Sequence, residues 1–168
     1  MILSFLKRYQ RNILSRLFLL LIFLPVIFYF FSDGKVNYQK CRKAYLLNNT
    51  DWIELDIAYT RTQKALGLMF IKKLPQNKGM IFVFDKEEEH TFWMKNTYIP
   101  LDIIFLTKDY RVAKIFENVR ASFPGEDDEN VEYVTHKGKY VIEINAGMSK
   151  KMSLAIGKKL KLKWDCDN

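Results

Sequence analysis

The sequence predicts a mainly β protein: an antiparallel β-sandwich or barrel-like domain with one or two short helices, behind an N-terminal hydrophobic helix. Three observations carry this expectation. Short apolar segments recur between turn-forming clusters from Trp52 onward, the pattern of an all-β domain. The helical stretches are too few and too short for a repeating α/β arrangement. Leu17–Phe31 (LFLLLIFLPVIFYFF) is an unbroken apolar run directly after a basic stretch.

That run is apolar on every face, unlike a surface helix. Its fifteen residues would reach ~22 Å as a helix, short of a ~30 Å hydrocarbon layer. Residues 1–34 therefore read as a signal peptide or a short uncleaved membrane anchor. Ser32 and Gly34 could occupy the −3 and −1 positions of a cleavage site, but bulky Phe30 and Phe31 upstream suit cleavage poorly. Lys7, Arg8, Arg11 and Arg16 precede the run, and Lys35, Lys40, Arg42 and Lys43 nearly balance them after it. The expected location is exported, either anchored in an inner membrane or periplasmic, with the membrane as a partner through this segment.

The chain carries 27 basic and 19 acidic residues, a net charge of +8. Without the four basic residues of the first 32 positions, 23 stand against 19. So mild an excess calls for no nucleic-acid partner. Lys150, Lys151, Lys158, Lys159, Lys161 and Lys163 read as a solvated surface, suited to facing a membrane.

Residues 35–168 read as one β-rich domain, entered through a polar linker that ends at Lys40. Trp52–Ala58 alternates as a strand. Thr60 caps a helix over Thr62–Leu66 that ends at Gly67. A turn over Pro75–Gly79 leads into strand Met80–Phe84. Asp85–Glu89 reads as a charged hairpin loop, followed by strand Thr91–Lys95, a loop at Asn96–Pro100 and strand Leu101–Leu106. Thr107–Tyr110 turns the chain into strand Arg111–Phe116. Ser122–Asn130 (SFPGEDDEN) reads as a long, mobile acidic loop. Strand Tyr140–Asn145, a helix over Ser149–Ala155 and strand Lys159–Trp164 complete the domain. Cys41 and Cys166 are the chain's two cysteines. In an exported domain they would either form a disulfide closing nearly the whole fold or remain two buried thiols.

Familiar catalytic motifs are absent: no G-x-S-x-G, Walker loop, H-E-x-x-H or dinucleotide glycine pattern occurs. His90 and His136 fall in or near expected loops, and no set of three zinc ligands stands out. No cofactor is expected. Gly67-Leu-Met69, Gly79-Met-Ile-Phe-Val-Phe84, Phe92-Trp-Met-Lys-Asn-Thr97 and Ile99-Pro-Leu-Asp-Ile-Ile-Phe105, with Glu143 in Val141–Gly147 and the later Gly157, resemble the family called domain of unknown function 192. The resemblance spans roughly Trp52–Lys163. It implies a compact β-sandwich, commonly behind an export signal, and no established activity. The turn Thr107–Tyr110 departs from it, since that family usually has a glycine there.

The candidate site lies in Thr91–Leu106, where polar residues interrupt the most apolar stretch. Strand alternation puts Phe92 and Met94 on the core side and Trp93 and Lys95 on the other. Trp93 offers a flat apolar face and one donor, suited to stacking a planar ligand or a sugar. Asn96 and Thr97 either fix the turn or contact a ligand. Asp102, between Leu101 and Ile103, needs a partner if buried. Arg61 could supply one, and Glu143 poses the same problem on another apolar strand. Arg61, Asp102 and Glu143 are thus either a structural ion-pair network or the wall of a groove.

Three functional readings follow. The first is a non-enzymatic, envelope-associated binding or accessory domain, whose groove of Arg61, Trp93, Lys95, Asn96, Thr97, Asp102 and Glu143 takes a small-molecule, glycan or protein ligand. The second is a hydrolase of an envelope polymer with Asp102 and Glu143 as acid and base. The third is Cu(I) binding through Met69, Met80 and Met94 with His90, although methionines more often fill gaps in a core.

Overall fold

The β-segments assemble into one seven-stranded sheet with two short helices in the computed structural model, which describes residues 36–48 and 51–167. The strands are β1 (Cys41–Asn48), β2 (Asp51–Ala58), β3 (Lys78–Trp93), β4 (Leu101–Leu106), β5 (Val112–Val119), β6 (Tyr133–Asn145) and β7 (Lys161–Cys166). The helices are α1 (Arg61–Leu66) and α2 (Met148–Lys151). The apolar run Leu17–Phe31 lies outside the described residues. Among the described residues no helix is long and apolar enough to cross a membrane.

The spatial order is β5-β4-β6-β3-β2-β1-β7. The sheet is mixed rather than purely antiparallel, because β2 and β3 run parallel. Parallel neighbours need a crossover, and α1 with the segment after it provides one. Thr60 starts α1 with a reciprocal capping box to Gln63, and Gly67 stops it, as the local sequence signals predict. At one end the first and last strands of the order meet. Val112 N–H donates to Lys158 O, Gly157 N–H to Val112 O and Leu160 N–H to Tyr110 O. The sheet thus curls until β5 touches the segment leading into β7.

Several elements differ from the sequence expectation. β1 follows directly on the expected linker, in a stretch to which the sequence assigns no element. Its burial rests on Cys41, Ala44 and Leu46 alone, amid basic and solvent-facing residues. Asp85–Glu89 is no hairpin loop. β3 continues through it as a sixteen-residue strand, with a register shift between Val83 and Glu88 that swings the charged stretch into solvent. β6 follows it outward, starting at Tyr133 rather than Tyr140. The acidic loop is pinned by a single arginine. Arg120 donates to Glu126, to Asn130 O and to Ala121 O, while its own N–H meets Glu132. The helix near Ser149 is one turn, Met148–Lys151.

Tyr110 occupies the left-handed region (φ 61°) in the turn between β4 and β5, where glycine would be at ease. Its ring lies 4.8 Å from that of Tyr140, and Tyr140 shares a 2.9 Å hydrogen bond with Tyr38. Ring packing at this end of the sheet compensates the backbone cost.

β4 and β6 bury both faces, as the unbroken burial of Leu101–Leu106 requires. Opposed residues on paired strands share a face. Ile103 and Met80 oppose Glu143, and Phe105 and Phe82 oppose Val141, so these share one face. Asp102 and Gly79 oppose Ile144, and Ile104 and Ile81 oppose Ile142, on the other. The Phe82–Ile103–Phe105 face packs with Leu68, Met94, Ile99 and Val131 from the loops and with Val119 and Val134 from the ends of β5 and β6. Gly79 sits where a Cβ would lie 2.5 Å from the Glu143 carbonyl oxygen, so no other residue fits there without parting β3 from β6.

Cys41 and Cys166 oppose each other on β1 and β7 and are joined by a disulfide across 125 residues. Closing a loop of that length removes denatured-state entropy worth about 4–5 kcal/mol in the chain-entropy model. A Cys41→Ser/Cys166→Ser protein should lose stability approaching that amount in urea unfolding, and reductant should lower the parent midpoint toward it.

Candidate functional site

Asp102 is wholly buried, and its partner is not Arg61. Its carboxylate accepts the Asn118 N–H at 2.9 Å, the Ser149 N–H at 2.8 Å and the Ser149 hydroxyl at 2.6 Å. Asn118 lies at a bulge in β5 with φ 52°, and Ser149 is in the single turn of α2. Three donors from two distant segments satisfy the charge that burial would otherwise forbid. Arg61 is exposed at the start of α1 and forms no ion pair among the described residues.

Glu143 has a different environment. Its register puts it on the opposite face of the sheet from Asp102, so the two acids share neither a network nor a reaction centre. It is buried, and no hydrogen-bond donor reaches its carboxyl among the described residues. Desolvation pushes its pKa up to about 8. The carboxyl lies at the floor of a cleft of about 460 Å³ between α1 with the chain after it and the middle of β3. Leu66, Met69, Phe82, Phe84, Phe92 and Trp93 supply most of its apolar wall. Gly67 keeps the floor accessible: a Cβ there would stand 3.3 Å from the Phe82 ring and 3.9 Å from Glu143 Oε2.

The cleft holds three other titratable groups. Lys64 donates to Val83 O at 3.1 Å and lies 4.8 Å over the Phe84 ring. His90 stacks on the other reach of Phe84, with centroids 3.5 Å apart. Its Nε2 is buried without a hydrogen-bond partner, and burial pushes the imidazole below its ordinary pKa. Glu89 is exposed and forms no ion pair among the described residues.

The remaining candidate residues separate. Trp93 lines the cleft and is 41% exposed. Lys95 shares its face as alternation predicts, with its ammonium 4.8 Å over the indole, but it pairs with Asp128 at 2.7 Å on the outer side. Asn96 is a turn residue with φ 56°, and its carbonyl accepts the Phe70 N–H. Thr97 is buried and reaches the cleft wall. Trp93, Thr97 and Glu143 thus converge; Arg61, Lys95, Asn96 and Asp102 stand elsewhere. Sequence reasoning did not single out Lys64, Phe84 and Glu89, and it named His90 only as a copper ligand; the expected hairpin loop at Asp85–Glu89 hid that Glu89 and His90 continue β3 past Phe84. Of the proposed copper ligands, Met94 is buried in the core, Met80 packs against it, and Met69 lines the cleft with His90.

Two outcomes test these assignments. Asp102→Ala leaves two backbone donors and a hydroxyl buried without an acceptor, and should cost about 3 kcal/mol or more in urea unfolding. Glu143 behaves oppositely. Its folded pKa is raised above the unfolded value, so the folded state holds a proton that the unfolded chain releases. The native state therefore loses stability as pH rises from about 5 toward 8. Glu143→Gln should remove that slope, about 1.4 kcal/mol per pH unit at most, so its advantage over the parent grows with pH.

Comparison with known proteins matches the cleft-bearing domain as a unit. No curated protein matches the chain at a significant level. A crystal structure of a candidate transcription regulator from Sinorhizobium meliloti 1021 is similar, with TM-score 0.60 and 26% identity over 73% of this chain and 92% of that one. A protein of unknown function from Novosphingobium aromaticivorans DSM 12444 is also similar, with TM-score 0.58 and 32% identity over 73% of this chain and 84% of that one. The family model for DUF192, described as an uncharacterized ACR, matches residues 44–162. That span takes in α1, β3 and β6, which line the cleft, and the chain belongs to the DUF192 family.

Proposed function

We propose that this protein is a non-enzymatic, envelope-associated binding domain, held at a membrane through its N-terminal apolar segment, that takes a small molecule into the cleft between α1 and β3. One observation carries the reading: Glu143 is a buried carboxyl with no hydrogen-bond donor among the described residues, and it lines a solvent-connected cleft walled largely by aromatic and aliphatic side chains. A carboxyl whose pKa is pushed up by burial at the edge of a cleft is the kind of group that marks a binding position. A ligand with an apolar body and one polar end would bury its body against Phe82, Phe92 and Trp93 and satisfy Glu143. Gly67 leaves the space for that end.

The hydrolase reading loses the pair it was built on, since Asp102 and Glu143 face opposite sides of β4 and β6. The role given to the Sinorhizobium meliloti protein would call for a basic nucleic-acid face, whereas this cleft presents Glu89 and Glu143. The envelope location rests on the Leu17–Phe31 run and its basic flank.

A ligand-observed NMR screen of small aromatic and aliphatic fragments against the full chain in detergent tests the cleft. Hits should be lost or weakened tenfold or more in Trp93→Ala, which removes one wall at an exposed position and should leave unfolding unchanged within about 1 kcal/mol. A folded Trp93→Ala protein that binds every fragment as the parent does would dispose of the reading.

A further inference from the structure

We propose that the ligand of this cleft is an organic cation, a protonated amine or amidine on an apolar body, whose charged end pairs with Glu143. The inference rests on the cleft reading and adds the chemical class.

The charge inventory of the cleft points to it. α1 contributes one cation, Lys64, and its ammonium is already engaged by the Val83 carbonyl and the Phe84 ring. β3 contributes His90, which burial keeps toward its neutral form, and Glu89, which has no ion-pair partner among the described residues. β6 contributes Glu143, likewise without one. Lys64 keeps its positive charge, but the two carboxyls that line the cleft without an ion-pair partner among the described residues, Glu89 and Glu143, are the groups left to pair with a ligand's charge, in a chain whose net charge is +8.

The walls fit the same class. Phe82, Phe84, Phe92 and Trp93 present aromatic surfaces to the cavity, and aromatic faces attract cations most strongly where water is excluded. Lys64 over Phe84 displays that interaction within the cleft itself. A cation at the floor would favour the ionised form of Glu143, which the empty cleft disfavours. Binding must then expel the proton that Glu143 holds near neutral pH, and the amine's affinity must rise with pH until Glu143 is ionised in the free protein.

The test compares three molecules of similar shape, 2-phenylethylamine, 2-phenylethanol and 3-phenylpropionate, by titration calorimetry on the full chain in detergent. Measurements run from pH 6 to pH 9 in buffers of differing protonation enthalpy. The amine should bind at least tenfold more tightly than the alcohol at pH 7.5, and the carboxylate not at all. Its affinity should rise about tenfold per pH unit below pH 7.5 and level off above pH 8, with close to one proton released at pH 7. Glu143→Gln should abolish both the pH dependence and the proton release. Equal binding of amine and alcohol, or an amine affinity flat with pH, overturns the cationic class. If Trp93→Ala still removes that binding, the cleft reading survives. Silence from all three molecules, alongside fragment hits that Trp93→Ala abolishes, also overturns the cationic class alone. Silence together with no Trp93-dependent fragment overturns both.

Discussion

Three hydrogen bonds converge on the Asp102 carboxylate from Asn118 and Ser149, and the layout of β4, β5 and α2 depends on them. β4 is buried on both faces, so a charge on it survives only with donors that do not move. The β5 bulge supplies one, and the short turn of α2 supplies two. In exchange the carboxylate holds both segments against the central strands, and α2 is too short to persist unaided. With β4 fixed, the register between β4 and β6 is fixed as well, and it turns Glu143 away from Asp102.

The two acids show how one sequence signature covers two physical situations. Each sits between apolar residues on a strand, and nothing local to either distinguishes them. Asp102 meets donors contributed from sixteen and forty-seven residues away. Glu143 meets the space left by Gly67 beside aromatic rings. The first arrangement is a structural weld. The second leaves free energy unspent in the empty protein, which is the condition for a ligand to gain from entering.

Much of the architecture was legible in the residues, because it is local. Thr60, Gln63 and Gly67 mark α1 by its caps, alternation marks β2 and the end of β3, and a short apolar run between turns marks β4. Trp93 and Lys95 share a face, as alternation requires. What was not legible depends on pairing between distant segments. β1 lacks a dense apolar pattern and is a strand because β2 and β7 flank it. Asp85–Glu89 has the composition of a turn, yet it stays extended because β6 runs beside it, with Lys139 donating to Asp85 O. The parallel pairing of β2 with β3 leaves no mark in either strand. The site suffered from the same gap: Glu89 and His90 join Phe84 to Phe92 in one wall because β3 continues through a stretch whose composition reads as a loop.

The Cys41–Cys166 pairing also constrains the order of events during synthesis. β1 can zip to β2 soon after both emerge, but its other edge waits for β7, whose cysteine is made 125 residues later. At ribosomal speeds of about 5–20 residues per second, that edge stays open for roughly 6–25 s. During that interval the nascent chain exposes an unsatisfied strand edge and a free thiol. A holdase that shields extended segments, followed by an oxidant once β7 has docked, is the assistance such a timetable demands.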